Sequence, residues 1–154
     1  MVDSRDKGVR AEYNLRDRLR KHTGLQWERV PGSGGFNAVH GLKGDLYIPD
    51  TRYRHCIEVK HYKDDVFNSN LMNETVSTLE KFWQQTRREA DEINKEPLLV
   101  FRKDRGKWLV ATIYPELAAK EITITFESLE EQIYIYLLED WLLEKTTEDF
   151  LVGL

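Results

Sequence analysis

The run His55-Cys56-Ile57-Glu58-Val59-Lys60 predicts a buried strand that carries two charged side chains. Successive side chains of a strand point to opposite faces, so Ile57 and Val59 share one face and Glu58 and Lys60 the other. A strand in a protein core rarely holds a glutamate and a lysine on one face without a partner or a function. This strand is therefore the first candidate for a functional site.

The residues before this run predict its neighbour in a sheet. Leu46–Pro49 has strand character, and Asp50–Arg54 has the polar composition of a turn. With the turn centred between Thr51 and Arg52, antiparallel partners have numbers that sum to about 103. Asp45 then lies opposite Glu58, with their Cβ atoms about 4.5–5.5 Å apart.

Two carboxylates so close repel each other unless one is protonated or a cation lies between them. Oxygen ligands with room for water suit Mg²⁺, and Mn²⁺ can substitute. A metal ion held by Asp45 and Glu58 would activate a water for attack on a phosphate, and Lys60 would position that water or stabilise charge. From these residues alone, a Glu58–Lys60 ion pair on an edge strand, with Asp45 capping the turn, stays an open alternative.

The rest of the first 113 residues predicts an α/β domain with a mixed sheet, in the order α-β-β-β-α-β-β. The glycine-rich segment Pro31–Gly35 is a loop, and Asp104–Lys107 is a hairpin turn. The remaining predicted elements are helices over Ser4–His22 and Thr75–Asn94, and strands over Leu25–Val30, Leu98–Phe101 and Trp108–Ile113.

Residues 114–154 are predicted to form a C-terminal strand-helix extension packed on the same domain. Glu121–Phe126 has strand character, and Ser128 with Glu131 fits a capping box that opens a helix running to Lys145. This helix would carry more large apolar side chains than one exposed helix can present to water. Packing against a second subunit and complete burial within its own domain are equally open.

Composition bounds the class of protein. The chain has 154 residues, of which 40% are hydrophobic and 11% aromatic, as expected for one compact domain. No segment approaches the roughly 20 apolar residues of a membrane helix, and the polar first residues do not resemble a signal peptide. Cys56 is the only cysteine, which excludes an internal disulfide and a cysteine-based zinc site. We expect a cytoplasmic protein.

Charge is distributed unevenly along the chain. The net charge is −4, which taken alone argues mildly against a nucleic-acid-binding protein. Residues 1–63, however, carry 13 lysines and arginines against 8 acidic residues, whereas residues 64–154 carry 10 against 19. This asymmetry favours a polyanion-binding face in the first half, with an ordinary charged surface as the alternative.

Four motifs in order resemble the PD-(D/E)xK nuclease superfamily, and within it the archaeal-type Holliday junction resolvases, which also occur in phages. They are Lys7-Gly8-x-x-Ala11-Glu12, Arg29-Val30-Pro31-Gly32-Ser33-Gly34, Gly44-Asp45 and Ile57-Glu58-Val59-Lys60. The similarity spans about residues 4–111. It implies a restriction-endonuclease-like core with a central mixed β-sheet flanked by helices, a homodimer, and Mg²⁺-dependent paired nicking of four-way DNA junctions.

The resemblance also implies roles for individual residues. The catalytic set is Glu12, Asp45, Glu58, Lys60 and the loop residue Ser33. The metal ligands are Asp45, Glu58 and the backbone carbonyl of Val59, with Glu12 as an additional ligand if the first helix packs beside the strand pair. The second helix is expected to contribute Gln84 or Gln85. Gly44 departs from the family pattern, in which proline is common at this position.

Phosphate contacts should supply most of the affinity for DNA. The candidates are basic residues near the motifs and the glycine-serine loop, although each taken alone has the properties of an ordinary surface residue. They are Lys7, Arg10, Arg29, Gly32, Ser33, Gly34, Lys43, Lys63, Arg87 and Arg88.

The expected function is therefore a structure-selective endonuclease that acts on branched double-stranded DNA. Two alternatives stay open: a restriction-type or repair endonuclease that cuts duplex DNA, and a dimeric DNA-binding module that does not cleave. The acidic set with Lys60 argues against the binding module, because carboxylates near phosphates weaken DNA binding unless they hold a metal.

Overall fold

A computed structural model of the protein describes residues 4–31, 41–72, 76–116 and 120–153. These residues form a seven-stranded sheet with helices packed on it. The helices are α1 (Ser4–Thr23), α2 (Thr78–Glu92), α3 (Leu138–Leu143) and α4 (Thr147–Phe150). The strands are β1 (Glu28–Arg29), β2 (Leu46–Tyr47), β3 (His55–Tyr62), β4 (Glu96–Lys103), β5 (Leu109–Thr112), β6 (Ile122–Phe126) and β7 (Glu131–Leu137).

The strand order across the sheet is β1-β2-β3-β4-β5-β7-β6. Strands β3 and β4 are parallel, and every other neighbouring pair is antiparallel. The predicted α/β fold with a central mixed sheet flanked by helices is thus confirmed. The predicted register is also confirmed, because Leu46 pairs with Ile57.

Burial explains why β3 and β4 occupy the middle of the sheet. Each has five consecutive buried residues, 55–59 in β3 and 97–101 in β4. Strands that are covered on both faces need such continuous burial, and parallel neighbours need a crossover element between them. Helix α2 supplies that crossover. Its first turn is capped by Ser77, whose side chain accepts a hydrogen bond from Glu80 N at 3.2 Å.

Two apolar clusters cover the two faces of the sheet. On one face, Leu15 and Leu19 of α1 pack with Ile57. On the other, Leu79 and Trp83 of α2 pack in a second cluster that includes residues of β4, β5 and β7. Asp45, just before β2, and Glu58 and Lys60 of β3 therefore lie in a part of the sheet that α1 covers on one face and α2 on the other.

The predicted helix over residues 128–145 is wrong in its first half. Glu131–Leu137 is strand β7, which lies between β5 and β6 in the sheet, and only Leu138–Leu143 is helical. The capping box is also wrong, because Glu131 accepts a hydrogen bond from Trp83 Nε1 at 2.9 Å instead of capping a helix. Residues 133–136 read Ile-Tyr-Ile-Tyr, and β-branched and aromatic residues favour strands. The segment after residue 120 is strand-strand-helix-helix, rather than strand-helix.

Because residues 131–137 form a strand of the sheet, their apolar side chains do not need a partner subunit to cover them. Ile133 and Ile135 are buried within the sheet, and Trp141 and Leu142 of α3 are buried against the first cluster. The apolar run is thus largely buried in its own chain.

Residues 147–152 pack against the turn that precedes β3. Arg54 N donates to Phe150 O at 2.9 Å, Val152 N donates to Arg52 O at 2.7 Å, and Tyr53 forms a β-bridge with Leu151. The Phe150 ring also meets the Trp27 ring edge-on, with 5.4 Å between centroids. The β2–β3 unit is therefore held in place by a segment almost 100 residues later in the chain.

Within the four described ranges, no helix is both long and apolar enough to cross a lipid bilayer.

Candidate active site

Asp45 is fixed by hydrogen bonds at both its backbone and its side chain. Its backbone N donates to Ile57 O at 2.7 Å, and its carbonyl accepts from Val30 N at 2.9 Å. Its Oδ2 atom accepts a hydrogen bond from Val59 N at 2.7 Å. The carboxylate is thereby held over the middle of β3, at the level of Glu58.

Gly44 explains the departure from the proline that is common in this motif. Its φ is +80°, a left-handed conformation that proline cannot adopt. A Cβ atom at this position would lie 2.6 Å from the carbonyl oxygen of Ile57. Glycine therefore allows the chain to pass close to β3 and to deliver Asp45 to its place.

Glu58, Lys60 and Gln85 form a hydrogen-bonded group. Glu58 is 5% exposed, and its Oε1 atom accepts from Gln85 Nε2 at 3.1 Å. Lys60 Nζ donates to Gln85 Oε1 at 2.7 Å and lies 3.6 Å from Glu58 Oε1. Of the two glutamines proposed for this helix, the structure brings Gln85 to the carboxylates. Gln84 is half-buried and makes no hydrogen bond to any residue that the structure describes.

Glu12 approaches Asp45 from the α1 side. It is packed closely enough for the negative charge of Asp45 to act on it, and Arg29 Nη2 lies 3.5 Å from its Oε2 atom. The Arg29 guanidinium also stacks over the Tyr13 ring at 4.7 Å from the centroid. The structure thus brings Glu12, Asp45, Glu58 and Lys60 together in one place.

The crowding of carboxylates disfavours full ionisation. Burial and the charge of Asp45, partly offset by Arg29, raise the pKa of Glu12 to about 7. Burial, contact with Glu89 and the charge of Asp45 raise the pKa of Glu58 to about 11. Burial also raises the pKa of Asp45, against the hydrogen bond from Val59 N. The group therefore holds protons at neutral pH unless a cation replaces them.

Glu89 is a member of this group that sequence reasoning missed. It accepts a hydrogen bond from Gln85 Nε2 at 3.3 Å, and its other oxygen is buried without a partner among the described residues. A signal existed, because residues four apart on a helix share a face and Glu89 follows Gln85 by four. The group thus contains four carboxylates: Glu12, Asp45, Glu58 and Glu89.

The remaining candidates lie in different surroundings. Gly32, Ser33 and Gly34 fall outside the described residues. Arg87 forms ion pairs with Asp91 at 3.8 Å and with Glu131 at 3.3 Å, toward a strand three places from β3 in the sheet. The other basic candidates divide into those in ion pairs, Lys7 with Asp104 and Lys43 with Glu92, and those exposed without an ion pair to a described residue, Arg10, Lys63 and Arg88.

The chemistry of this group fits a divalent metal ion. Glu58 Oε2 is buried and has no hydrogen-bond partner among the described residues, and Asp45 lies at the same level of the sheet. Hard oxygen ligands of this kind suit Mg²⁺ or Mn²⁺. Within the part of the chain that the structure describes, no three acidic, histidine or cysteine side chains converge tightly enough to enclose an ion. Two carboxylates, the Val59 carbonyl and water would therefore complete the coordination.

Gln85 offers a test of how this group is organised. We expect Gln85→Ala to lower kcat by about ten- to a hundredfold with little change in KM, because the variant releases both Lys60 Nζ and Glu58 Oε1. Single-turnover cleavage of a labelled DNA measures the effect. Gln84→Ala is the matched variant, and an equal loss in both would show that Gln85 does not organise the site.

Comparisons with known proteins identify a family for this chain. Residues 3–151 match the model of a family described as "Phage putative PDDEXK endonuclease". The chain is 47% identical to Protein D14 of Escherichia phage T5, over 97% of this chain and 98% of that protein. It is also similar to the solved structure of Archaeoglobus fulgidus Hjc, a Holliday junction resolvase, with 20% identity, 93% coverage of both chains and a TM-score of 0.44.

Proposed function

The chain belongs to the phage PDDEXK endonuclease family, and from that premise we propose that it is a Mg²⁺-dependent endodeoxyribonuclease that resolves four-way DNA junctions by paired symmetric cuts. Membership confirms the superfamily resemblance drawn from the motifs and makes the chain a nuclease. Nucleases of this superfamily use divalent metal ions. The choice of Mg²⁺, the junction substrate and the paired cuts belong to the proposal.

One observation supports the chemistry most directly: Asp45 and Glu58 lie at one level of the sheet, with Lys60 Nζ 3.6 Å from Glu58 Oε1. Asp45 and Glu58, with the Val59 carbonyl and Glu12 in support, are the groups that would hold the metal. A bound Mg²⁺ supplies charge neutralisation at a phosphate oxygen and lowers the pKa of a water.

The chain's own residues supply the rest. Lys60 Nζ is directed by Gln85 and stands where it can hydrogen-bond the attacking water or a phosphate oxygen. Attack of a water oxygen on phosphorus forms one P–O bond and breaks one P–O ester bond; the water gives a proton to solvent, and the departing oxygen takes a proton from solvent. Arg29 balances the charge of Glu12 and so limits repulsion between the carboxylates and the DNA backbone.

Junction selectivity and dimerisation rest on other grounds. The motif order, including Arg29 and the glycine-serine loop with Ser33, resembles the junction resolvases. Two cuts at symmetric positions require two active sites, and a two-fold homodimer places them on one substrate. The phage relative favours action inside an infected host cell. The division into a nuclease core of residues 1–113 and a later extension that contributes to the dimer stays a prediction.

The decisive experiment compares a synthetic four-way junction with a linear duplex of the same sequences, each end-labelled, with Mg²⁺ or with EDTA. We expect paired, symmetric, Mg²⁺-dependent cuts in the junction and an intact duplex. Cutting of both substrates would overturn junction selectivity and leave the duplex endonuclease. If neither were cut with Mg²⁺ or Mn²⁺ while DNA was still bound, the non-cleaving module would replace the nuclease.

A further inference from the structure

The segment of residues 102–107, which consists of the last two residues of β4 and the turn that follows them, is strongly basic and has no role in the site described above. It reads Arg-Lys-Asp-Arg-Gly-Lys, and Lys103, Arg105 and Lys107 are exposed. None of these three forms an ion pair with a described residue. We call residues 102–107 the basic turn.

The basic turn lies at the end of the catalytic strand. Strand β4 runs parallel to β3 with Lys60 opposite Phe101 and Tyr62 opposite Lys103, and Asp104 N donates to Tyr62 O at 2.8 Å. A strand rises about 3.3 Å per residue, so Lys103 lies about 7 Å beyond Lys60 along the strand direction. On duplex DNA this corresponds to about two base pairs.

Asp104 holds the basic turn in place without neutralising it. Its Oδ1 atom lies 2.5 Å from Lys7 Nζ on α1 and 2.9 Å from His61 Nε2 on β3. The carboxylate is thus directed toward α1 and β3, and the hydrogen bond from Lys7 together with the nearby cations keeps the pKa of Asp104 below its usual value. Lys103 and Arg105, on either side of Asp104, are exposed to solvent.

A second observation places an unsatisfied donor beside the same turn. Arg102 Nε is buried without an acceptor among the described residues, and its guanidinium lies 5.8 Å from the centroid of the Trp108 ring. Arg102 and Lys107 line a cleft of about 170 Å³ next to the turn, together with Arg18 of α1 and Glu139, which form an ion pair with each other at 3.0 Å. Arg102 and Lys107 are the cations of this cleft that have no acidic partner among the described residues, and such side chains match the charge of a phosphate group.

We propose that the basic turn binds backbone phosphates of the DNA duplex beside the cut, with Lys103, Arg105 and Lys107 as contacts and Arg102 as a donor within the cleft. The proposal rests on the proposed nuclease function and adds a surface to it. Because phosphate contacts carry no base information, the turn contributes affinity that is independent of DNA sequence.

The test removes two exposed charges, Lys103→Gln with Arg105→Gln, in a Glu58→Gln background that prevents cutting. The matched control is Lys21→Gln with Lys120→Gln, which removes two exposed charges elsewhere. Arg105 has φ +66°, and glutamine there is no more strained than arginine, so the turn keeps its shape. Affinity for a labelled four-way junction and for a duplex is measured by fluorescence anisotropy in EDTA at several salt concentrations.

We expect the turn variant to bind both DNAs about ten- to fiftyfold more weakly, with a slope of log K against log salt smaller by about 2, while the control binds like its parent. Equal affinities and slopes in the turn variant and its parent would overturn the turn as a contact and leave the nuclease intact. If the parent itself bound no DNA, the result would contradict both the proposed function and the proposed phosphate-binding surface.

Discussion

Glu58→Gln is expected to lower the rate of DNA cleavage by about a thousandfold or more, while DNA binding persists or tightens. A metal ion lowers a phosphoryl-transfer barrier by several kcal/mol, and the variant removes one of its two principal carboxylates. Glutamine keeps the size and the hydrogen bond from Gln85 but not the charge. Without metal Glu58 is protonated at neutral pH, because burial and its carboxylate neighbours raise its pKa to about 11, so the substitution does not weaken DNA binding in EDTA. Asp45→Asn is expected to behave in the same way.

Cleavage is measured on a labelled junction in Mg²⁺, and binding by anisotropy in EDTA. Glu127→Gln is the control, because Glu127 is an exposed carboxylate that follows β6, the strand at the edge of the sheet farthest from β1. Wild-type cleavage rates in either site variant would contradict the assignment of Asp45 and Glu58 to the active site. A loss of cleavage in the control of similar size would indicate a general effect of charge.

In the absence of a divalent metal, the free energy of unfolding should fall as the pH rises from 7 to 9. The pKa of Glu12 is raised to about 7 and that of Glu58 to about 11, both from 4.5, so the folded protein binds more protons than the unfolded chain. Stability of this origin is complete below about pH 4.5 and is lost as the pH rises through the folded values. Above pH 7 Glu58 dominates, at roughly 1 kcal/mol per pH unit.

Saturating Mg²⁺ is expected to reverse this trend, because the metal binds the deprotonated carboxylates of the folded state alone. Thermal unfolding in EDTA and in Mg²⁺ at pH 7, 8 and 9 tests both statements. Glu58→Gln should flatten the EDTA curve. A stability in EDTA that is constant or increases over this range, in the parent protein, would contradict the arrangement of protonated carboxylates.

Below pH 6.5 a second group acts in the opposite direction to the glutamates. Burial lowers the pKa of His55 from 6.5 to about 3, so this side chain is neutral in the fold and must be charged in acid. The sign is opposite to that of the glutamates: stability from His55 is complete above pH 6.5 and is lost as the pH falls toward 3. The alkaline window is therefore the one that isolates the active-site carboxylates.

Some of this architecture follows from local patterns in the chain. The short turn between β2 and β3 limits the pairing to one register, because a slip of one residue would bring Glu58 to the opposite face. For this reason the Asp45–Glu58 relation is predictable from residues 44–60 alone. Helix α1 and the β4–β5 hairpin are predictable on similar grounds, from a helical apolar period and from a glycine-containing turn.

Other features depend on partners that are distant in sequence. Residues 131–137 contain enough leucine, isoleucine and tyrosine to fit either a buried helix or a buried strand. They form a strand because they pair with the edge of β5 that β4 leaves free. Glu89 has no motif of its own and becomes part of the site only because α2 directs it at Glu58. Gly44 looked like a departure from a family pattern until its φ of +80° and its approach to Ile57 gave it a steric reason.

The contact of residues 147–152 with the turn before β3 has a consequence for the time course of synthesis. Arg54 Nε donates to the carbonyl of Asp149, a contact that closes 95 residues of chain. A ribosome adds about 5–20 residues per second, so this contact forms several seconds after β3 has been translated. The turn that leads into β3 therefore lacks these backbone partners while the chain is nascent. The β2–β3 unit is fully anchored only after this late segment has left the exit tunnel.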